Sequence, residues 1–205
     1  MFYDAVRNDH GLRFDPFKAL LVPRPIGWVT SLDEEGRVNL APYSFFNAIA
    51  DKPHYVMFAS AGPKDSLRNI EATGEFVCNL ATWDLREPMN KTSATVARGV
   101  DEMKLAGLTP VPSRLVKPPR VGEAPAAFEC RYHTTLHLPG ANGSDEHVYA
   151  VVTGLVVGIH IDDRFIRDGI VDTGAMRPIA RLGYRDYAVV EPHTVFSMDR
   201  PDDDS

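Results

Sequence analysis

Residues 25–41, PIGWVTSLDEEGRVNLA, have the pattern of a β-hairpin. The first part, Pro25 to Leu32, is rich in the β-branched and aromatic residues that strands favour. The polar segment Asp33 to Gly36 follows, and Gly36 can adopt the positive φ that a tight turn requires. Because Val38 to Ala41 then resumes an extended pattern, we predict two antiparallel strands joined by this turn.

The segments that follow the hairpin predict more strands than helices. The predicted strands are Tyr55–Ala59, Phe76–Leu80, Phe128–Leu138 and Val148–Ile161, and Pro178–Val190 closes the domain. Asn142-Gly143 is expected to form the turn between the last two of these strands. One clear helix is expected over Lys64–Thr73, with Asp65 or Ser66 as its N-cap and Gly74 as its C-terminal stop.

The pattern is less regular in the second half of the chain. Asp84–Leu108 is polar and has patchy helical character, with Pro88 and Gly99 as predicted breakers. Leu108–Pro125 contains five prolines and is expected to be an extended connecting loop across the surface. A short helix is expected over Asp162–Gly169.

The arrangement of these segments favours one antiparallel sheet. Short spacings between strands suit antiparallel pairing, and the β-α-β alternation of a doubly wound fold is missing. Closing such a sheet into a barrel removes its exposed edges. We therefore predict a mainly β single domain over residues 1–205, an antiparallel β-barrel with a few short peripheral α-helices. Its core is expected at about residues 16–190, and residues 199–205 form an acidic tail.

Charge and hydropathy exclude several classes of protein. The 205-residue chain has 22 Lys and Arg and 28 Asp and Glu, which gives a net charge of −6. This balance argues against a general nucleic-acid binder but leaves room for a local phosphate pocket. The longest apolar stretch, Val148–Ile161, has 14 residues, fewer than the roughly 18–20 of a membrane span. With no signal peptide visible in residues 1–10, we expect a cytoplasmic protein that does not enter a membrane.

Common nucleotide, nucleophile and metal motifs are missing from the sequence. It has no GxGxxG, GxxxxGK[ST], GxSxG, HExxH or CxxC. His133 and His137 would lie about 13 Å apart along a strand, too far for one metal ion. Cys78 and Cys130 lie in apolar runs and are expected to be core residues rather than a disulfide. No metal site and no catalytic side chain are predicted.

The segment Gly62-Pro63-Lys64-Asp65-Ser66-Leu67-Arg68-Asn69 leads from a loop into the predicted helix. The first turn of a helix has free N–H groups and a partial positive charge. Lys64, together with the hydroxyls of Ser60 and Ser66, would make this helix start an anion site suited to one phosphate. A lysine before a capped helix is more often merely solvated, so this segment by itself leaves both interpretations open.

A second group of polar residues lies at the ends of the predicted hairpin. Thr30-Ser31 end one strand, and Asn39-Leu40-Ala41-Pro42-Tyr43-Ser44-Phe45 carries the other out of regular pairing at Pro42. Free backbone groups beside apolar side chains suit the rim and the faces of a planar heterocycle. A plain barrel rim with a packed Tyr and two Phe residues explains the same pattern.

In their order and spacing, these segments resemble the flavin reductase-like family of FMN-binding split barrels. The resemblance covers about residues 16–190, although each string is unspecific by itself. The strings that carry it are Pro23-Arg24-Pro25-Ile26-Gly27-Trp28-Val29-Thr30-Ser31, Asn39-Leu40-Ala41-Pro42-Tyr43-Ser44-Phe45-Phe46-Asn47, Lys64-Asp65-Ser66 with Asn69, Met89-Asn90-Lys91-Thr92-Ser93-Ala94, Gly99-Val100-Asp101-Glu102, Ala106-Gly107-Leu108-Thr109, Phe128-Glu129-Cys130, and Arg181-Leu182-Gly183-Tyr184 with Tyr187.

The resemblance implies a homodimeric split β-barrel of Greek-key topology that binds FMN near the subunit interface. The FMN-binding residues that it implies are Thr30 and Ser31 near the ring or ribityl chain, Ala41, Pro42, Tyr43 and Ser44 at the isoalloxazine edge, and Ser60, Lys64, Asp65 and Ser66 at the phosphate. Arg24, Arg181 and Tyr184 would reach the pocket from the same chain or from the partner. Tyr184 departs from the family, in which a second Gly commonly follows Gly183.

The resemblance further implies an FMN-dependent oxidoreductase of the NAD(P)H:flavin reductase type, in which NADH or NADPH passes hydride to flavin N5. The acceptor would be a small molecule, such as free flavin or a ferric complex, or a partner monooxygenase. An FMN-binding electron carrier without nicotinamide activity is the alternative, and a scaffold that has lost the ligand is a third. The Pro-Arg-Pro and Asn-Leu-Ala-Pro-Tyr-Ser strings argue against pyridoxamine-phosphate oxidase relatives.

The sequence leaves four questions open. These are the acceptor, the choice between NADH and NADPH, whether FMN is a prosthetic group or a substrate, and the role of residues 84–125.

Overall fold

The computed structural model describes residues 1–140 and 147–201. The predicted turn at Asn142-Gly143 and residues 202–205 of the predicted acidic tail lie outside the described residues. The strands are β1 (Arg24–Pro25), β2 (Gly27–Leu32), β3 (Val38–Tyr43), β4 (Phe46–Asp51), β5 (His54–Ala61), β6 (Glu75–Leu80), β7 (Pro110–Val111), β8 (Arg120–Val121), β9 (Ala126–Pro139), β10 (His147–Ile161), β11 (Ile166–Arg167), β12 (Ile170–Val171), β13 (Ile179–Arg181) and β14 (Tyr187–Val189). The α-helices are α1 (Phe17–Leu20), α2 (Asp65–Thr73), α3 (Arg86–Lys91), α4 (Glu102–Ala106) and α5 (Thr173–Met176).

Seven of these strands form one antiparallel sheet, in the order β3-β2-β6-β9-β10-β5-β4. A smaller sheet consists of β1, β13 and β14. The connection from β5 to β6 passes through α2 and carries the chain to the other side of the β9–β10 pair. The prediction of a mainly β, antiparallel chain with a few short helices is therefore confirmed.

The predicted hairpin is confirmed as β2 and β3. Its register pairs Gly27 with Tyr43 and Leu32 with Val38, and Gly36 has φ +79° in the turn. Successive side chains of a strand point to opposite faces of the sheet, and β2 is buried on both faces except at Leu32. The strand that the sequence marked most clearly is thus an internal strand of the structure.

Two groups of buried side chains flank β2 and β3 on their two faces. The sheet core includes Val29, Tyr43, Phe58, Phe76 and Val152. The helix-side core includes Trp28, Leu40, Met89, Met103 and Ile179. Adjacent residues such as Trp28 and Val29 belong to different cores, as the alternation of a strand requires.

The edge strands of the large sheet, β3 and β4, are joined by Ser44 and Phe45 alone. Consecutive Cα atoms are about 3.8 Å apart, so these two edges come within about 11 Å of each other. A Cβ added to Gly27 would lie 2.5 Å from the ring of Phe46, which places β4 against β2 at this point. Within residues 1–140 and 147–201 no hydrogen-bonded ladder joins β3 to β4. The sheet is therefore curled, but it is not the closed barrel that the sequence pattern predicted.

Two details of the helices differ from the prediction. Lys64, rather than Asp65 or Ser66, is the N-cap of α2, because its backbone is extended (φ −81°, ψ 162°). Gly74 does end α2, with φ +77°. Pro88 does not break a helix, since it is the third residue of α3, where an N–H group has no intrahelical partner to lose.

The segment 108–125 is tied to the sheet more firmly than a surface loop. It contains β7 and β8, which pair with each other, and it buries Val116 and Val121. The carboxylate of Glu129 in β9 accepts the backbone N–H groups of Arg114 at 2.9 Å and Leu115 at 2.6 Å. The prediction of a loop that merely crosses the surface is wrong, because these contacts and apolar residues dock it.

Two smaller predictions have clear outcomes. A 3-10 turn at Asp163–Phe165 takes the place of the short helix expected over residues 162–169. Cys78 and Cys130 are both free and buried, as predicted. In the part of the chain that the structure describes, no helix has the length and apolar character needed to cross a membrane.

Candidate functional site

A cavity of about 1090 Å³ lies between the N-terminal segment, the end of β3, α3 and the β13–β14 pair. Small-molecule sites typically measure roughly 300–1,000 Å³, so this cavity is large enough for a nucleotide-sized ligand. Its walls include Lys18, Arg24, Ser44, Trp83, Arg181 and Tyr184.

Cationic side chains outnumber acidic ones on the walls of this cavity. The cations are Lys18, Arg24, Arg86, Arg181 and Arg185, and the acids are Asp15 and Glu87. Glu87 lies 3.8 Å from Arg86 and offsets that one charge. The cavity is thus locally positive in a chain whose net charge is −6, and a low-dielectric cleft of one sign attracts ligands of the other.

Arg24 is held by backbone carbonyls instead of a carboxylate. Its Nη1 donates to the carbonyl oxygens of Lys18 at 2.5 Å and Leu21 at 2.6 Å, and its Nη2 donates to that of Leu182 at 2.8 Å. The residue is 9% exposed, and its buried Nε has no hydrogen-bond partner in the described part of the chain. Burial lowers the pKa of Arg24, and the charge of Arg181, which faces it in the β1–β13 register, lowers that pKa further.

Trp83 provides an aromatic surface on the cavity wall. The guanidinium groups of Arg86 and Arg177 lie 4.1 Å and 5.5 Å from the centre of its ring, within the range of cation–π attraction. Arg86 also donates to the carbonyl of Trp83 at 2.8 Å. Because Trp83 is 38% exposed, this cationic and aromatic surface is open to a planar ligand.

The start of α2 brings together Tyr43, Ser60, Lys64 and Ser66. The ammonium group of Lys64 is 5.8 Å from the centre of the Tyr43 ring, and Lys64 is exposed. Burial raises the pKa of Tyr43, and the nearby hydroxyls of Ser66 and Ser60 partly offset that rise. Among the residues that the structure describes, the Tyr43 hydroxyl nevertheless has no partner in hydrogen-bonding geometry. A cation, the first turn of a nine-residue helix and an unpartnered hydroxyl therefore meet here, an arrangement that suits an oxyanion.

Asp65 places a carboxylate at the same helix start. It is the first residue of α2, where a negative charge is favourable with the helix dipole. Its Oδ1 lies 3.6 Å from Nη1 of Arg68, and this pairing offsets the repulsion that Asp65 would exert on a bound anion.

A buried hydrogen-bond network fixes the start of α2 against the hairpin. Asn39 Nδ2 donates to Ser66 Oγ at 2.8 Å and to Ser31 Oγ at 3.5 Å. Asn69 Nδ2 donates to Ser31 Oγ at 3.3 Å. All four side chains are buried. Because the network joins β2, β3 and α2, it sets the position of the helix N-terminus relative to the end of β3.

Thr30 makes its contacts on the other face of β2. Its Oγ1 accepts from Asn79 Nδ2 at 2.9 Å, and the same Nδ2 lies 2.9 Å from the carbonyl of Trp28. The Oδ1 of Asn79 accepts the backbone N–H of Val121 at 2.8 Å. Thr30 is buried and bonded within the protein, so its contact with a flavin stays a prediction.

The predicted site residues fall into three groups. Pro42, Ser44, Arg181 and Tyr184 lie on the cavity wall. Tyr43, Ser60, Lys64, Asp65 and Ser66 meet at the start of α2, and Ala41 packs against the sheet core there. Thr30 and Ser31 are buried in β2. The first two groups both include residues from the end of β3, but they lie on opposite sides of it, because successive residues of a strand point to opposite faces.

Sequence reasoning missed most of the cavity wall, including four of its cationic and aromatic residues. These are Lys18, Trp83, Arg86 and Arg185. An arginine three residues after a tryptophan in a polar segment is the pattern that could have indicated Trp83 and Arg86, while the others meet only through the fold. Within the described ranges, no group of three or more His, Cys, Asp or Glu side chains is placed to hold a metal ion.

Comparison with known proteins gives the family. The model of the flavin reductase like domain matches residues 19–179 of the chain. The chain belongs to the flavin reductase-like family. An uncharacterized protein of Aquifex aeolicus is 36% identical over 174 residues, which cover 82% of this chain and 85% of that protein. The resemblance predicted from the sequence is thus confirmed.

Solved structures show the same fold. Nitrilotriacetate monooxygenase component B from Bacillus cereus is 30% identical to the chain, with a TM-score of 0.85 over 97% of this chain and 98% of that one. A protein with a split barrel domain from Shewanella frigidimarina is 20% identical, with a TM-score of 0.80 over 98% of each chain. At that identity the second likeness concerns the fold alone.

Proposed function

We propose that this member of the family binds FMN and passes hydride from NADH or NADPH through it to an acceptor. The single observation that carries the proposal is the meeting of Lys64, the unpartnered Tyr43 hydroxyl and the N-terminus of α2 beside the end of β3. Oxyanions bind where free N–H groups and a cation converge. Family membership makes a flavin the phosphorylated ligand to consider first.

The residues present fit FMN. In the described part of the chain, two buried side-chain polar atoms lack a hydrogen-bond partner, Tyr43 Oη and Arg24 Nε. A buried unpartnered hydroxyl is costly, and a phosphate oxygen held by Lys64 would satisfy it. The sequence predicts that the chain leaves regular pairing at Pro42, which is wrong, because Pro42 and Tyr43 still pair with Trp28 and Gly27 of β2. β3 is an edge strand of the large sheet, however, so the backbone on its outer side would supply groups for the rim of a planar ring.

Different residues of the chain would bind the phosphate and the ring of FMN. Lys64, Ser60 and Ser66 would hold the phosphate, while Asn39 positions Ser66 through its 2.8 Å bond. Residues 41–44 would support the ring edge. When bound, FMN would supply the redox chemistry, since its N5 can accept a hydride and the flavin can pass the electrons on. Hydride transfer therefore requires no acid or base of the protein. Arg181 and Tyr184 lie on the cavity wall beside Ser44, where a second substrate would meet the ring.

The proposal extends to the assembly and its partners. We infer that the curled sheet is a split barrel of Greek-key topology and that the chain forms a homodimer in the cytoplasm. Ile49 lies on the edge strand β4, whose residues after Phe46 are all exposed, and such an uncovered edge favours a second copy against β4. The likeness to component B of a monooxygenase supports a partner monooxygenase as the acceptor of electrons.

A visible-absorption spectrum of the purified protein tests this function directly. We expect the yellow flavin band after purification or after addition of FMN, and FMN-dependent oxidation of NADH or NADPH. Bound FMN that stays oxidised under anaerobic NADH and NADPH would instead identify an electron carrier. A protein that neither binds nor reduces FMN would contradict the proposal.

A further inference from the structure

We propose that the cavity is a second anion site, separate from the start of α2, and that Arg181 in it binds the diphosphate of the nicotinamide dinucleotide. This inference rests on the proposed function, since it takes Lys64 as the partner of the flavin phosphate. It adds to that function the place and the recognition of the second substrate.

The two cationic regions lie on opposite faces of the same strand end. Tyr43 points into the sheet core toward Lys64, whereas Pro42 and Ser44 line the cavity with Arg181. Neighbouring residues of a strand cannot present one ligand group to both faces. FMN carries one phosphate, so a cofactor held at Lys64 leaves the cations of the cavity for another anion.

Arg24 and Arg181 face each other directly across β1 and β13. Like charges in directly opposed positions destabilise a sheet. Among the described residues neither guanidinium forms an ion pair with a carboxylate, and Arg24 is satisfied by three backbone carbonyls instead. An anion bound in the cavity would offset this repulsion, so the two facing arginines favour an anionic ligand there.

Several further features favour a dinucleotide over a small acid. Lys18 and Arg185 also line the cavity, and within the described chain neither forms an ion pair, so the cavity matches more than one negative charge. Trp83 with the guanidinium of Arg86 at 4.1 Å offers a stacking surface for a planar ring. A volume of about 1090 Å³ is wide for a carboxylate but suits an extended nucleotide.

Arg181 itself is placed to contact the ligand. Its Nη2 donates to the carbonyl of Tyr184, and its guanidinium lies 4.5 Å from the centre of the Tyr187 ring, so one orientation is favoured. Its other N–H donors make no hydrogen bond to a described residue, so they are available to take an oxyanion in bidentate geometry.

Calorimetric titration of the full-length protein with three probes tests the inference. ADP-ribose carries the diphosphate without the ability to donate hydride, benzoate represents a simple carboxylate, and FMN reports on the flavin site. We expect Arg181→Ala to weaken ADP-ribose binding about tenfold or more, since a charge-assisted hydrogen bond is lost, while FMN affinity changes less than about twofold. Lys64→Ala should show the reverse pattern.

Matched variants separate contact from folding. Arg164→Ala removes one exposed arginine outside the cavity and should change neither affinity. Arg185→Ala removes an exposed cavity cation with no ion pair, and should weaken ADP-ribose severalfold even if Arg181→Ala folds poorly. Arg181→Lys should recover part of the affinity.

The outcomes distinguish this inference from the proposed function. Equal losses of FMN and ADP-ribose affinity in Arg181→Ala would make the cavity the flavin site and overturn the inference. Saturable binding of benzoate but not of ADP-ribose would overturn it as well. If the wild type binds ADP-ribose through Arg181 but does not bind FMN, the cavity assignment holds and the proposed function fails.

Discussion

The indole N–H of Trp28 donates to the hydroxyl of Thr92 at 2.9 Å, across 64 residues of chain. Both residues are buried, and the Thr92 hydroxyl in turn donates to the carbonyl of Met89 at 2.7 Å. The bond attaches the end of α3, which forms one wall of the cavity, to the internal strand β2. These two hydrogen bonds of the Thr92 hydroxyl therefore explain why a threonine occurs in the Met89–Ala94 segment.

Replacing Thr92 by Val keeps the shape of the side chain but leaves the Trp28 N–H unpaired in the core. We expect the free energy of unfolding to fall by about 1–3 kcal/mol, the usual cost of a buried unsatisfied donor. Urea denaturation followed by far-UV circular dichroism measures the change. Thr92→Ser retains the hydroxyl and should lose much less stability, and equal losses in both variants would contradict this account.

The close approach of Gly27 to Phe46 predicts a second effect on stability. A Cβ at residue 27 would stand 2.5 Å from the Phe46 ring, so Gly27→Ala forces the edge strand β4 away from β2. We expect a loss of about 1–3 kcal/mol in the free energy of unfolding, as for other overpacked sites. In a double-mutant cycle, Phe46→Leu should recover part of that loss. Strict additivity of the two changes would show that the contact is not the cause.

Glu102 predicts how stability depends on pH. Its carboxylate is buried in the first turn of α4 and accepts the backbone N–H of Leu40 at 3.0 Å. Burial raises the pKa of Glu102, and the carboxylates of Asp65 and Asp101 add to the rise. The folded state therefore holds its proton more tightly than the unfolded state, and stability falls as pH rises above the ordinary pKa of 4.5.

Glu102→Gln removes this titration and keeps an acceptor for Leu40. The free energy of unfolding of the variant minus that of the wild type should therefore be larger at pH 8 than at pH 4. Urea denaturation of both proteins at the two pH values gives the difference directly. A constant difference would show that folding leaves the pKa of Glu102 unshifted, and a difference that shrinks as pH rises would show that the folded state favours the ionised carboxylate; either result contradicts this account.

Local chemistry explains what the sequence predicted well. The β2–β3 hairpin follows from Gly36 and the residues around it, and α2 follows from its apolar spacing and Gly74. The cavity could not be predicted in this way, because Lys18, Trp83 and Arg181 meet only after the small sheet and α3 have packed. Long-range packing, not local propensity, decides which polar residues share a site.

Strand alternation explains the part of the site that was only half predicted. The sequence predicts one ring-binding edge at Ala41-Pro42-Tyr43-Ser44, but Tyr43 is in the sheet core whereas Pro42 and Ser44 line the cavity. The sequence predicts that alternate residues of β3 point to opposite faces. It does not predict which elements pack against each face, since α2 and β13 come from distant parts of the chain.

Lys64 predicts the strength of phosphate binding. Its ammonium group is exposed and has no carboxylate within ion-pair distance among the described residues, so its charge is available to a ligand. Lys64→Ala should lower FMN affinity about tenfold or more, since a charge-assisted hydrogen bond contributes about 1.5–3 kcal/mol. The wild-type affinity should also fall as salt rises.

Fluorescence titration of FMN measures the effect of this change. Lys104→Ala is the matched control, because Lys104 is 83% exposed on α4 and its one ion pair with a residue that the structure describes is with Asp101 at 3.5 Å. It removes the same charge and should leave the affinity unaltered. An unchanged affinity in Lys64→Ala would remove Lys64 from the phosphate site.

Removal of the Tyr43 hydroxyl is expected to affect FMN affinity and folding stability in different ways. It is buried and unpartnered in the protein without ligand, so Tyr43→Phe removes a polar group that gains nothing from folding. We expect the free energy of unfolding to stay the same or to rise by up to about 1 kcal/mol. FMN affinity should fall severalfold, because the phosphate loses one donor beside Lys64. A loss of stability with unchanged affinity would mean that the hydroxyl serves the fold, through Ser60 or Ser66, and not the ligand.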